Sequence, residues 1–110
     1  MNSILTSIKK LLGPGEEDTS FDTDITIHIN TALSILTQVG IGPPEGFAIE
    51  DKTQTWDEFV PENPQLSSIK SYIYLKVRLI FDPPTSSAAL DAMTKTCDEL
   101  LWRLNVATGT

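Results

Sequence analysis

The tetrapeptide Asp82-Pro83-Pro84-Thr85 constrains this chain more than any other feature. A residue before proline avoids the α region, and proline donates no backbone hydrogen bond. A helix arriving at Asp82 must therefore stop there. Upstream, Leu66, Ile69, Ile73, Val77 and Ile80 recur at helical spacing, and Tyr72, Leu79 and Phe81 widen that stripe. Asn63-Pro64 is a start signal, a capping side chain followed by a proline at the first helical position. Downstream, Thr85 or Ser86 caps a last helix. Its apolar stripe is Ala89, Leu90, Met93, Cys97, Leu100, Leu101 and Leu104. The second half of the chain therefore reads as two amphipathic helices joined by an elbow that folds the last one back onto the core.

The first half adds two more helices. Ile4, Leu5, Ile8, Leu11 and Leu12 keep helical spacing between a cap at Asn2 or Ser3 and the stop Gly13-Pro14-Gly15. Lys9 and Lys10 fall near the end of that helix, where cations suit the dipole. Asp24 to Asn30 alternates like a strand, but Phe21, Ile25, Ile29, Ala32, Leu33 and Leu36 also share one helical face. Ser20 or Asp22 as N-cap and Gly40 as a terminal glycine bracket a span too long for a typical strand, so a helix is the choice. The segment 42–62 is irregular. A small hairpin around Glu50-Asp51-Lys52 and one helical turn, Trp56-Asp57-Glu58-Phe59 capped by Thr55, fit within it. The expected fold is mainly α: a compact bundle of four to five helices in a single domain, 1–110, with a loose tail at 107–110.

Catalytic chemistry is hard to build from these residues. His28 and Cys97 are the only histidine and cysteine, far apart in sequence, so no metal-ligand spacing exists and no cofactor or metal is expected. Gly13-Pro14-Gly15 lacks the lysine of a phosphate loop. Asp98 and Glu99 are adjacent on a helix and cannot converge on one ligand. The lone Cys97 forms no disulfide within the chain and reads as a small buried hydrophobe. No apolar run is long enough for a transmembrane helix, and the N-terminal segment lacks the pattern of a secretory signal. An enzyme is therefore not expected.

Charge is unevenly placed. The formal net charge is −7. Residues 1–62 hold Lys9, Lys10 and Lys52 against eleven acids, a balance of −8, whereas residues 63–110 hold five cations against four acids, a balance of +1. An acidic chain is poorly suited to broad binding of nucleic acid. It does offer two unlike patches for association of copies. The candidate contact residues are Lys70, Lys76 and Arg78 on the penultimate helix, and Glu16, Glu17, Asp22 and Asp24 in the front half. Trp56 and Phe59 lie in an acidic loop. They read either as aromatic interface anchors or as a lid folded over the core.

Asn63-Pro64 through Val106, above all LKVRLIFDPP and ELLWRLN, resembles the head–tail connector (adaptor) proteins of long-tailed bacteriophages. ILTSIKKLLG, FDTDITIHINTALSILTQVGIGP and GFAIEDKTQTWDEF extend the resemblance over nearly the whole chain. It implies a helical structural protein of the virion that forms a homo-oligomeric ring. The ring would dock on the portal protein at the capsid vertex, extend the DNA channel and meet a downstream connector or tail protein. DNA would pass without specific binding. The protein would reside at the head–tail interface, and in the host cytoplasm during assembly. No active residues accompany the resemblance. A helical DNA-binding regulator and a general helical interaction module are the competing readings of the residues.

Overall fold

The computed structural model describes residues 3–13 and 19–108. Among them are five helices: α1 (Ile4–Leu12), α2 (Asp22–Gln38), α3 (Trp56–Phe59), α4 (Leu66–Phe81) and α5 (Ser87–Ala107). Helix α4 is the hub, packing against α1, α2 and α5, while α1 also touches α2. Ile8, Ile25, Ile29, Leu33, Ile69 and Ile73 are among the fully buried side chains, so the core lies where the apolar faces of α1, α2 and α4 meet.

Local signals account for most boundaries. Ser3 caps α1 by accepting from the Thr6 N–H at 3.2 Å. Thr55 and Glu58 form a reciprocal capping box that holds the single turn of α3. Ser86 caps α5 by accepting from the Ala89 N–H at 3.2 Å. Helix α4 ends at Asp82, at the proline pair. It begins two residues later than Asn63-Pro64 suggests. Asn63 Oδ1 instead accepts from the Gln65 N–H at 2.7 Å in a turn that leads into the helix. Helix α2 also lacks the expected cap: Phe21 is its N-cap and makes no side-chain capping bond.

The hairpin expected around Glu50-Asp51-Lys52 does not form, because side chains take the backbone groups it would need. Asn30 on α2 accepts from the Ile49 N–H at 2.8 Å and donates to the Ile49 carbonyl at 3.0 Å. Gln54 Oε1 accepts from the Glu50 and Asp51 N–H groups at 2.7 and 3.0 Å. The Gln54 carbonyl in turn accepts from the Ile4 N–H at 3.1 Å, beside an isolated antiparallel bridge between Ser3 and Thr55. The irregular segment is therefore fastened to α1 and α2.

The end of α5 is also fastened. Ala107 is its last residue, and the Thr108 hydroxyl lies 3.0 Å from the Val39 carbonyl and 2.7 Å from that of Asn105. The loose tail expected at 107–110 is thus corrected for Ala107 and Thr108; Gly109 and Thr110 lie outside the described residues.

Candidate assembly surfaces

The three cations of α4 point in different directions. Lys70 places its ammonium 5.3 Å from the centroid of the Trp56 ring, a cation–π contact worth about 0.5–1 kcal/mol. Arg78 donates to the Tyr74 hydroxyl at 3.1 Å and to the Asp82 carbonyl at 3.3 Å, which holds the guanidinium along the last turn of α4. Lys76 faces α5, near enough to Cys97 to favour its thiolate. Lys70 and Arg78 therefore border one side of α4, and Lys76 the seam with α5.

The acids divide in the same way. Asp24 is exposed at the start of α2. Asp22 is engaged inside the protomer: its Oδ1 is 2.8 Å from the ammonium of Lys9, whose side chain is only 5% exposed. That oxygen is buried without an aligned hydrogen-bond donor, so the Lys9 charge compensates it. Lys9 thus ties α1 to α2, beyond its favourable place at a helix end. Glu16 and Glu17 lie outside the described residues. The exposed acids of the irregular segment are Glu45, Glu50, Asp51, Asp57, Glu58 and Glu62. Asp51 accepts from both the side chain and the backbone of Thr53, which holds its carboxyl below the usual range.

Of the two readings of Trp56 and Phe59, the structure shows the lid folded over the core and not the exposed anchors: each is 1% exposed. The Trp56 indole N–H donates to the Ser7 hydroxyl at 3.1 Å, so its polar edge is satisfied within the fold. Phe59 packs on Phe47 with ring centroids 5.3 Å apart and lies under Gly42. Gly42 has φ +86°, and an added Cβ would collide with the Phe59 ring. The acidic surroundings of these aromatics are surface residues flanking a short turn that faces inward.

The exposed apolar residues lie elsewhere. Trp102 is 65% exposed and Val106 54%, and the two are one helical turn apart on α5. Ile27 on α2 is 55% exposed. Sequence reasoning missed Trp102 by attending to the α5 stripe. The signal was available, since Trp102 falls about 140° around the helix from Cys97 and so lies off that stripe. Ala89 and Leu90, expected to pack inward, are exposed because α5 packs mainly on α4.

Cys97 and Tyr72 meet at the α4–α5 seam. Burial pushes the Cys97 thiol up, against the opposing influence of Lys76. Burial, with Cys97 and Asp98 nearby, raises the Tyr72 hydroxyl to about 12. Both groups are held neutral, as packing elements are. Among the described residues no three His, Cys, Asp or Glu side chains converge on a metal position. Nor is any described helix long and apolar enough to cross a membrane.

The surface is thus divided between exposed acids, cations partly engaged along α4, and exposed apolar side chains that include Leu11 on α1, Ile27 on α2, Ile80 on α4 and Trp102 on α5. Such an arrangement suits contact with other protein chains. No curated protein and no solved structure matches the chain. A family model described as phage connector protein matches residues 4–110.

Proposed function

Since the chain belongs to the phage connector protein family and is a structural component that connects phage head and tail parts, we propose that it forms a homo-oligomeric ring at the portal vertex. The ring docks on the portal protein, extends the DNA channel and offers its other face to the next connector or tail protein. The observation that carries this reading is the family match over residues 4–110. A ring requires two different patches on each subunit, and the unlike halves of this chain supply them. Electron microscopy of the purified protein mixed with portal-bearing capsids tests the proposal. A ring of added density beneath the portal is expected; bare portals at saturating protein overturn it.

Charged contacts between neighbouring copies belong to this proposal. Lys70, Lys76 and Arg78 meet front-half acids of the adjacent copy, Asp24, Glu16 and Glu17 among them; Asp22 contributes less because Lys9 already compensates it. Rim charges are individually weak, about 0–1 kcal/mol each, so apolar contacts carry most of the affinity. Reversing Lys70 and Arg78 together is expected to weaken rings, more so at low salt. Equal assembly of that variant at low and high salt removes the charged contacts from the proposal.

The exposed acids between Glu45 and Glu58 fit a place near the channel. A negative lining does not retain phosphate, so DNA slides past it. A ring map with residues 42–59 on the outer circumference, away from every partner, overturns this placement.

A further inference from the structure

Helix α4 separates two outer faces of unlike shape and little net charge. Phe81 meets the start of α2, with its ring centroid 5.4 Å from that of Phe21 and 6.3 Å from that of His28. Tyr72 and Lys76 face Cys97 on α5. Tyr72 and Phe81 are about 180° apart around a helix of 3.6 residues per turn. Helices α2 and α5 therefore lie against different sides of α4 and meet at their C-terminal ends, where the Thr108 hydroxyl bonds the Val39 carbonyl.

On the α5 side, Trp102 and Val106 project opposite the buried Cys97 and Leu104. Most of the charge beside them is paired within the helix, Lys95 with Asp91 at 3.2 Å and Arg103 with Glu99 at 2.7 Å, which leaves the exposed Asp98, one turn before Trp102, as a single residual acid. On the α2 side, Ile27, Thr31, Ser34 and Gln38 are exposed, and no charged residue occurs from Ile29 to Pro44. A groove of about 540 Å³ runs between this face and residues 45–48, with Glu45 as its one charged lining residue. Two chains of net charge −7 repel each other. Copies therefore meet most readily where each contributes little of that charge, and the centre of a protein interface is typically depleted in charge.

We propose that the outer face of α5, centred on Trp102 and Val106, docks against the outer face of α2, around Ser34, of the next copy of this chain. The proposal rests on the self-assembly reading above and names the surfaces it uses. The projecting indole enters the groove beside α2, whose one charged lining residue is Glu45. Because the two faces differ, each copy presents one of each, and the contact propagates from head to tail.

The test uses Trp102→Glu and Ser34→Glu, both at exposed positions. Circular dichroism checks that each is folded, with Trp102→Ser and Thr31→Lys as second choices for either face. Light scattering over a concentration series reads assembly. Each variant alone is expected to weaken self-association roughly tenfold or more. Mixed in equal amounts, the two are expected to form pairs that grow no further, since only one intact α5 face meets one intact α2 face. Assembly of both variants like the wild type overturns the proposal. Loss of assembly with Trp102→Glu but not with Ser34→Glu also overturns it, by pointing to α5 pairing with itself. A wild type that stays monomeric up to about 1 mM overturns the self-assembly reading itself, a different outcome from either.

Discussion

Helix α4 buries Ile69, Tyr72, Ile73 and Val77 among its 16 residues, whereas α5, at 21 residues, buries only Cys97 and Leu104. Both carry apolar stripes at helical spacing. They differ in surroundings: α4 has neighbours on several sides, while α5 packs mainly on α4. An amphipathic stripe thus measures what a helix is able to bury, and the number of partners decides what it does bury. In this protein the surplus on α5, Leu90, Trp102 and Val106, lies on the surface.

That contrast is open to direct attack. Ile73→Ala, in the middle of α4, is expected to cost about 2–5 kcal/mol in chemical denaturation, because a fully buried aliphatic leaves a cavity there. A loss below about 1 kcal/mol would mean that α4 is not the hub. Cys97→Ser, at the one well-buried seam of α5, is expected to cost about 1–3 kcal/mol by placing a hydroxyl in an apolar site. In the native protein the same thiol should react with a disulfide reagent far more slowly than after unfolding.

Alkaline pH probes that seam again, with a smaller effect. The Cys97 thiol and Tyr72 hydroxyl have ordinary values of 9.0 and 10.0, and the fold raises both. Above the ordinary values the unfolded chain loses protons that the folded chain keeps. Stability is therefore full below about pH 9 and falls as pH rises toward the folded-state values. Denaturation midpoints from pH 8 to 11 check the sign, and a midpoint rising over that range contradicts it. Smallest of all, Leu90→Ala on the exposed half of α5 should change monomer stability by no more than about 0.5 kcal/mol. A loss comparable to that of Ile73→Ala would erase the distinction between the helices.

Spacing and capping signals were enough to read most of the helices. Ser3, Thr55, Ser86 and the Asp82-Pro83 junction act locally, within a turn of the residues they cap or stop, so they are visible without the fold. Helix α2 forms where the sequence also alternates like a strand, because its apolar face is long enough to outweigh that alternation. What could not be read depended on distant partners. The missing hairpin turns on Asn30 reaching Ile49, and the place of Trp56 turns on Ser7. The Lys9–Asp22 pair is likewise a contact between helices. Of the candidate surfaces, the charge division was plain in the sequence. The exposure of Trp102 was legible from its place off the α5 stripe, but that of Ala89 and Leu90 was not, because a stripe says nothing about how many helices will lie against it.

The two tryptophans sit at opposite extremes, Trp56 at 1% exposure with its N–H bonded to Ser7 and Trp102 at 65%. Their fluorescence should therefore separate into a blue component shielded from iodide and a red component that iodide quenches. Trp56 reports the integrity of the fold, and Trp102 reports what covers α5. A single unlabelled sample can thus distinguish unfolding, which shifts the blue component to the red, from any docking on α5, which shifts the red component to the blue.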